Sequence, residues 1–414
     1  MIKPLPSIEA RGHSGRTSAG RRRSFGGPLG ALFTVVAALA ILIGGVAWAS
    51  GYVEYAAWWL TNRTSPSVAI MAPSGVVRGM ISVALDAMPH ERVQVIGAEL
   101  DDQAIAAAVP LVIDTSALAD GSHRLSVTVQ DTSWARNRAR ADAVIVTDNT
   151  PPRLSLNGAP DVVQQGGTWL LLVRANEPAT VSARISDAPL DLQPADGYAW
   201  AVIGISAEHG PGDLPLVVDG IDVAGNRAEQ RLMVRITAGS FDHERVTVPE
   251  RLLPLLRPEV RADEDARLAL IYATLSQDRL WDGPLILPVQ GEVVTRFGEV
   301  RSYNGNPFEG HHAGIDIAAP SGRPVVAPAR GRVVFVGSEP VRGNVLVLDH
   351  GLGVFTTYAH LAVADVQVGQ VVEQGQSIAR VGSTGLSEGP HLHWELWVHQ
   401  VNVDPVEWTR RSLP

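Results

Sequence analysis

Cysteine is absent from the 414-residue chain, and lysine occurs only once, as Lys3. The absence of cysteine excludes disulfide bonds, thiol catalysis and zinc sites with cysteine ligands, so exported domains must be held by core packing alone. The chain also contains no His-Glu-x-x-His sequence. It therefore offers no glutamate general base in the arrangement that zinc proteases usually employ.

Charge is unevenly placed along the chain. The net charge is −9, but residues 1–28 carry one lysine and five arginines against the single acid Glu9, a local charge of +5. The rest of the chain is strongly acidic, which argues against binding to nucleic acid. The length predicts about two to four domains, and the apolar composition is sufficient to fill several cores.

Residues 28–49 form an uncharged apolar run that is long enough to cross a hydrocarbon core about 30 Å thick. The arginine cluster before it predicts a cytoplasmic tail at residues 1–27 and export of everything after residue 50. A cleaved signal peptide is the alternative, because Ala47-Trp48-Ala49 fits a small-x-small cleavage site. The run, however, is longer than the apolar part of a signal peptide, about 7 to 15 residues. We therefore predict an uncleaved, single-pass transmembrane anchor at residues 28–50.

From about Ser67 the chain changes to short alternating segments separated by turn residues, which is typical of antiparallel β structure. A turn rich in Asp and Asn at residues 131–137 recurs at residues 222–226, and this recurrence predicts two copies of one module. Both copies resemble bacterial immunoglobulin-like β-sandwiches, which we place at residues 66–149 and 150–238. Their expected role is that of a stalk, with binding of a wall polymer as the alternative. We interpret the Asp-rich turns as solvated turns rather than Ca²⁺ sites.

Residues 239–280 are predicted to hold a linker and a short helix. Prolines punctuate the first part, and the acidic run Asp263-Glu264-Asp265 then opens a helix, since acids suit the positive end of the helix dipole. Its apolar stripe consists of Leu268, Ile271, Tyr272 and Leu275. The sequence does not decide whether this helix docks on the next domain or covers its groove.

The last part of the chain, residues 281–409, is predicted to be a compact antiparallel β domain. Seven of the twelve histidines lie between His311 and His399. In the segment that begins at His391 the residues alternate as in a strand, so His391 and His393 share one face. The apolar residues on the other face, Leu392, Trp394, Leu396 and Val398, are expected in the core.

The spacing of His and Asp in this domain indicates a metal site. Catalytic zinc is usually held by three protein ligands from His, Asp and Glu, while a fourth position is left for water. His312 and Asp316 are four residues apart, which on a helix would place them on one face. Gly314 and the following Ile315-Asp316-Ile317 favour a turn that leads into a strand, and either geometry lets the two side chains converge. A further histidine, His360, lies in the segment Tyr358-Ala359-His360-Leu361.

Together these three pieces resemble the lysostaphin-type (LytM-like) zinc metallopeptidases, most of which cut peptide cross-bridges of bacterial peptidoglycan. That family has His-x-x-x-Asp early in the domain, His-x-His late, and a further His in a Tyr-x-His-Leu-like segment between them. The resemblance covers roughly residues 281–409. It implies His312, Asp316 and His393 as the zinc ligands, and it implies His360 and His391 as unliganded catalytic histidines beside the metal.

The fold predicted for the whole chain is therefore mainly β. It comprises the transmembrane helix, two sandwiches, a short helix and the antiparallel metallopeptidase domain. The predicted function is that of a membrane-anchored zinc endopeptidase with a peptidoglycan peptide as substrate and its catalytic domain outside the cytoplasm. The alternative is a catalytically silent domain of the same fold that activates or recruits another wall hydrolase. A protein substrate is a further alternative, and the oligomeric state and the bond that is cut stay open.

Three other histidines, His311, His350 and His399, are interpreted as structural. Residues 368–376 resemble the half-barrel of biotinyl and lipoyl carriers, but the absence of any lysine there excludes a carrier. The segment 301–305 resembles a loop beside the site in the family, and it is held as a substrate contact.

Overall fold

The computed structural model describes residues 28–158, 160–274 and 276–411. The predicted basic tail at residues 1–27 and the stripe residue Leu275 lie outside the described residues. The described chain divides into two compact units. The first comprises the residues up to Gly75, Met80–Asp114 and Ser122–Val146, and the second comprises Val76–Gly79, Thr115–Gly121 and everything from Thr147 onward.

The first helix, α1 (Pro28–Thr61), extends eleven residues beyond the predicted anchor. Residues 51–61 continue it because they contain no proline and a single charged residue, Glu54. The segment Val35–Thr61 is long and apolar enough to cross a membrane, although a signal sequence near an N-terminus satisfies the same criteria. The prediction of an apolar N-terminal helix is confirmed, and the predicted insertion in a membrane stays a prediction.

Eight strands follow α1, and they run from Ser67 to Thr147. Their bounds are Ser67–Met71 (β1), Val76–Val77 (β2), Met80–Met88 (β3), Val93–Leu100 (β4), Gln103–Ile105 (β5), Leu111–Asp114 (β6), Gly121–Asp131 (β7) and Arg138–Thr147 (β8). In the first unit, β3 lies between β1 and β6 in one antiparallel sheet, while β8, β7, β4 and β5 are neighbours in another. Residues such as Val83, Leu111 and Val127 on these strands are fully buried, so the module has its own core.

The second unit contains another module of two sheets, whose first strand begins at Leu154. Its strands are Leu154–Asn157 (β9), Val162–Gln164 (β10), Thr168–Ala175 (β11), Ala179–Ile185 (β12), Ala188–Leu190 (β13), Gln193–Ala195 (β14), Tyr198–Gly204 (β15), Gly212–Asp222 (β16) and Arg227–Thr237 (β17). One sheet has the order β10-β17-β16-β12-β13 and the other β14-β15-β11-β9. In the turn after β16 the Nδ2 of Asn226 donates to Asp222 at 2.9 Å. In the turn after β7, Asn137 donates to Asp131 in the same way, also at 2.9 Å.

The C-terminal domain is built around one ten-stranded antiparallel sheet. The remaining strands are His243–Val246 (β18), Glu292–Thr295 (β19), Val300–Tyr303 (β20), Glu309–His311 (β21), Ile315–Ala318 (β22), Pro324–Val326 (β23), Gly331–Glu339 (β24), Gly343–Gly351 (β25), Val354–Ala364 (β26), Val371–Val372 (β27), Ser377–Val381 (β28), His391–Val398 (β29) and Val401–Val403 (β30). The main path of the large sheet is β19-β22-β29-β26-β25-β24-β27. The mainly β fold with a C-terminal β domain is thus confirmed.

The segment predicted as a linker is ordered along the C-terminal domain. Its strand β18 pairs in parallel with β20, a 3₁₀ helix spans Glu250–Leu256, and helix α2 spans Pro258–Tyr272. The predicted helix start at Asp263 is wrong, because Pro258 already fits the first turn, where its missing N–H costs nothing. The acidic run consequently lies in the second turn, and Glu264 is fully buried.

Helix α2 docks on the C-terminal domain. Leu268 and Tyr272 are buried in one cluster with residues of β25 and β26, among them Val347 and Phe355. The ring of Tyr272 also stacks on Trp397 with ring centroids 4.4 Å apart. A last short helix, α3 (Pro405–Trp408), closes the domain, and the Asp404 side chain caps it by accepting from Val406 N.

The second β module and the C-terminal domain share one hydrophobic core. Trp200 and Val202 of β15 belong to the same buried cluster as Trp281, Val403 and Trp408 of the C-terminal domain. The contact is close, since a Cβ at Gly204 would lie 2.9 Å from the Val403 side chain. These two parts of the second unit therefore pack as a continuous body.

Candidate metal centre

Strand β29 supplies both histidines of the late motif. It is buried along nearly its whole length, and Leu392 and Trp394 belong to the hydrophobic cluster on one side of the sheet. The alternation of a strand then directs His391, His393 and Glu395 to the opposite face. The predicted assignment of faces on this strand is confirmed.

Strand β22 places Asp316 directly beside His393, and the two residues are partners in the antiparallel register. The approach of the backbones depends on Gly314, because a Cβ at this position would lie 2.2 Å from the carbonyl oxygen of Trp394. His312 precedes this glycine in a tight turn. The sequence His-x-x-x-Asp therefore converges through a turn and a strand rather than along a helix face.

Three potential ligand atoms form a triangle. The His312 Nε2 atom lies 3.2 Å from Asp316 Oδ1 and 3.0 Å from His393 Nδ1, and His393 Nδ1 lies 2.8 Å from Asp316 Oδ1. Tetrahedral zinc with bonds of about 2.0–2.1 Å separates its ligand atoms by about 3.3 Å. All three residues are buried, and two imidazoles with one carboxylate form a donor set that suits zinc. The residues present fit one zinc ion after a small expansion of the triangle.

Hydrogen bonds on the far side of each ring select the ligand nitrogen. The Nδ1–H of His312 donates to the carbonyl oxygen of Arg296 at 3.0 Å, which leaves the lone pair on Nε2. The Nε2–H of His393 donates to Glu395 Oε1 at 2.9 Å, which leaves Nδ1 as the nitrogen that faces Asp316 and His312. Such outer partners fix the tautomer and orientation of metal-binding histidines.

Charges around Asp316 keep its carboxylate ionised. Burial alone would raise the pKa of Asp316, but its interactions with His312 and His393 hold that pKa well below its ordinary value. The second oxygen, Oδ2, accepts a hydrogen bond of 2.7 Å from Arg301. Arg301 is fixed in turn, because its Nε donates to Glu244 of β18 at 3.1 Å.

The two ligand histidines experience opposite effects. Burial is the largest influence on His312 and lowers its pKa below the ordinary value despite the neighbouring carboxylate. Burial acts in the same direction on His393, but its hydrogen bonds to Asp316 and Glu395 outweigh it and raise its pKa to about 9. A cation that binds to Nδ1 of His393 must therefore displace a proton.

His360 and His391 lie next to the triangle. The rings of His360 and His391 are 4.8 Å apart between centroids, and His391 Nε2 is 3.8 Å from Asp316 Oδ1. Each Nδ1–H donates to a backbone carbonyl, that of Thr384 at 2.8 Å for His360 and that of Gly389 at 2.9 Å for His391. Burial, together with the nearby His393 and His391, lowers the pKa of His360 to about 3. The imidazole of His360 is therefore neutral, with an acceptor at Nε2.

The cleft beside these residues is bordered by the segment that precedes the domain. One cavity beside them is lined by Arg261 and Asp265 of α2, together with Tyr303. A second cavity, which shares Tyr303, is lined by Glu244 and Val246 of β18. The segment 301–305, held in the sequence analysis as a substrate contact, thus contributes Tyr303 to the wall and Arg301 to the carboxylate of Asp316.

The remaining histidines of the domain are not in the triangle. His311 lies at the rim of the cleft with its ring 5.1 Å from that of Phe241. His350 is buried at the end of β25, where its ring bonds to the Arg330 carbonyl and to Thr356. His399 lies in the turn between β29 and β30.

Three contacts at the site were not predicted from the sequence: Glu395 with His393, Arg301 with Asp316 and Arg342 with Glu395. Glu395 could have been recognised, because it continues the i, i+2 series of His391 and His393 on one strand face. The contacts of Arg301 and Arg342 could not, because their partners are distant in sequence and no local pattern connects them.

Residues 310–405, which contain all five predicted site residues, match the family described as peptidase family M23. Over 96 residues, or 23% of this chain and 22% of the relative, the sequence is 43% identical to peptidoglycan DD-endopeptidase ShyB of Vibrio cholerae serotype O1. Over 95 residues it is 46% identical to DD-carboxypeptidase/endopeptidase Mpg of Neisseria meningitidis serogroup B, again 23% of this chain and 22% of the relative. The chain thus spans about a fifth of the length of these curated relatives.

A solved structure titled as a putative peptidase M23 from Pseudomonas aeruginosa is similar to 60% of this chain and to 95% of that chain. Its sequence identity is 27%, and the TM-score is 0.43.

Proposed function

We propose that the protein is a zinc endopeptidase that hydrolyses peptide cross-links of bacterial peptidoglycan, because residues 310–405 match peptidase family M23. The observation that carries the proposal is the buried triangle of His312, Asp316 and His393 with two further histidines beside it. The name of the relative ShyB, a peptidoglycan DD-endopeptidase, supports a peptidoglycan peptide as the substrate class.

We assign zinc to His312 Nε2, Asp316 Oδ1 and His393 Nδ1. When bound there, zinc would polarise the scissile carbonyl and make a water molecule more acidic. The ligands are held ready for a cation by backbone and side-chain partners, which is typical of a metal site rather than of histidines that only fill a core.

His360 and His391 carry the proton chemistry in this proposal. Both rings have Nδ1–H fixed by a carbonyl oxygen, so Nε2 is the atom that is free to exchange a proton or to donate to an oxyanion. The neutral His360 can accept a hydrogen bond from the attacking water and orient it. A protonated His391 can stabilise the oxyanion or return a proton to the leaving amine.

The domain plan forms part of the same proposal. Residues 28–50 would anchor the chain in the cell membrane, the modules at residues 66–149 and 150–238 would stand outside it, and the peptidase at residues 281–409 would face the wall. The apolar helix α1 supports an anchor or a signal. A wall substrate requires an extracytoplasmic peptidase, which agrees with either role.

The test is digestion of purified peptidoglycan by the full chain in detergent, followed by mass spectrometry of the new amino ends. We expect new ends that disappear with a chelator and return with Zn²⁺. His393→Ala should lose both the stoichiometric zinc and the cutting, whereas the exposed control His209→Ala should keep both. Wild-type protein that binds no zinc, or that binds zinc and leaves peptidoglycan intact, would refute the proposal.

A further inference from the structure

A chain of buried polar contacts leads from the ligand His393 to helix α2. The Glu395 oxygen that accepts from His393 also accepts from Arg342 Nε at 2.8 Å. The Nη1 of the same arginine donates to Glu264 Oε1 at 2.9 Å. Glu264 and Glu395 have no exposed side-chain surface, and the Arg342 side chain is only 12% exposed.

Glu264 also accepts hydrogen bonds from the backbone at Val341 and Arg342. Its two oxygens accept from the backbone N–H of Val341 at 2.6 Å and from that of Arg342 at 3.1 Å. The carbonyl of Arg342 in turn accepts from the backbone N–H of His360 at 2.8 Å. His360 has a φ of 56°, a conformation that is unfavourable for a residue with a side chain and requires support from its surroundings.

Docking of α2 does not explain the burial of the Glu264 carboxylate. Leu268 and Tyr272 already attach the helix through apolar contacts, and an ion pair between the half-exposed Arg267 and the buried Glu339 adds to them. Burial of an ionised carboxylate is costly unless it is paired, and a buried ion pair seldom improves stability over an apolar pair. The buried charge of Glu264 is therefore better explained by its hydrogen bonds to Arg342 and to the 341–342 backbone than by a contribution to docking.

We infer that Glu264 of helix α2 is a positioning residue of the metal centre, acting through Arg342 and Glu395 on His393 and through the 341–342 backbone on His360. The inference rests on the proposed zinc function. It places part of the catalytic apparatus outside residues 310–405, the region that matches the family.

In this inference Glu264 acts by fixing the orientation of Arg342 and, through it, of Glu395. Glu395 must keep one oxygen directed at Nε2–H of His393 for Nδ1 to face the cation, and Arg342 fixes that oxygen. Without the carboxylate of Glu264, Arg342 loses a charged partner at its guanidinium and two backbone anchors. Both His393 and the backbone turn at His360 then sample other orientations.

The experiment measures zinc affinity by competition with a chromophoric chelator, and the absorption spectrum after Co²⁺ substitution, in the full chain. Outer partners of metal ligands are typically worth about 10–100-fold in affinity, so we expect Glu395→Gln to weaken zinc binding within that range. We expect Glu264→Gln, which preserves shape, to weaken it by about 10-fold and to alter the Co²⁺ spectrum. The matched control Arg267→Gln removes the ion pair between α2 and Glu339 and should leave both measurements unchanged.

The double variant Glu264→Gln/Glu395→Gln provides the sharper comparison. If Glu264 acts through Glu395, the double variant binds zinc little worse than Glu395→Gln alone, because the two losses are not additive. Additive losses, or a Glu264→Gln protein with wild-type affinity and spectrum, would overturn the inference while the zinc function stands. A wild-type protein without zinc affinity would overturn both.

Discussion

At the scale of single residues, the chemistry of each histidine is determined by the group that binds its other nitrogen. His312 and His360 donate to backbone carbonyls, whereas His393 donates to the buried carboxylate of Glu395. The identities of the histidines could be predicted from the spacing of motifs in the sequence. The choice of Nδ1 for His393 could not be predicted, since it depends on Glu395 being on the same strand face and on Arg342 in the turn between β24 and β25.

Arg301 gives a first prediction at this scale. Its guanidinium is the partner of Asp316 Oδ2, so Arg301→Met should leave that oxygen free to rotate and weaken zinc binding by about 10-fold. Chelator competition measures this effect. Arg330→Met is the control, because the Arg330 side chain pairs with Glu373 on the exposed surface. Equal zinc affinity in the two variants would show that Arg301 does not orient the ligand.

His350 gives a prediction about pH. Burial lowers its pKa below the ordinary value of 6.5 in the folded protein, so below that pH the unfolded chain takes up a proton that the native state does not. Stability should therefore fall as the pH decreases from 6.5, by at most about 1.4 kcal/mol per pH unit for this group. His350→Gln should reduce the difference in unfolding free energy between about pH 7.5 and pH 5.5. The exposed control His209→Gln should not, and an unchanged difference in His350→Gln would contradict the assignment.

At the scale of elements, the site is produced by two strands and one helix. Strands β22 and β29 could be predicted from alternation and from Gly314, and they are found in the expected places. The start of α2 was not predicted correctly, because an acidic run is a weaker signal than a proline that fits the first turn. The burial of Glu264 inside that run depends on Arg342, which no local pattern connects to it.

The closeness of β22 and β29 leads to a prediction for Gly314→Ala. The added methyl group would collide with the Trp394 carbonyl, so we expect a loss of about 1–3 kcal/mol in unfolding free energy, together with weaker zinc binding as Asp316 moves away from His393. Denaturant unfolding and zinc titration measure the two effects. In Gly97→Ala the methyl group meets nothing within 4 Å, and a comparable loss in this control would exclude steric conflict as the cause.

Helix α2 offers a matched pair of leucines. Leu268 is 1% exposed in the cluster that joins the helix to β25 and β26, whereas Leu270 on the same helix is 75% exposed. Leu268→Ala should cost about 2–4 kcal/mol of unfolding free energy. Leu270→Ala should change it by less than about 0.5 kcal/mol. Similar losses in the two variants would mean that α2 is not anchored through this stripe.

At the scale of the molecule, the second unit is continuous where the sequence predicts a stalk followed by a separate peptidase. The alternating patterns of the second β module and of the C-terminal domain could be recognised, because each element repeats with period two. The joint core of Trp200, Trp281 and Trp408 could not be recognised. The sequence does not show whether the partner of a buried tryptophan belongs to the same domain or to the next.

Truncation tests this continuity. A fragment of residues 281–414 would expose Trp281, Val403 and Trp408 and would lack α2, so we expect a lower Tm and a tendency to aggregate. A fragment of residues 147–414 retains the shared core and should unfold in a single transition. Calorimetry and light scattering distinguish the two, and equal thermal stability would show that the shared core contributes nothing.

The shared core and the buried carboxylate on α2 together limit how the peptidase can be transplanted. A graft cut at residues 310–405 would carry every histidine of the centre into a new host and leave behind Glu264, Arg301 and the face of β15. Such a graft would contain every histidine motif but would lack residues that orient those side chains. The part of the chain that can be transplanted intact is the larger body that begins near Thr147.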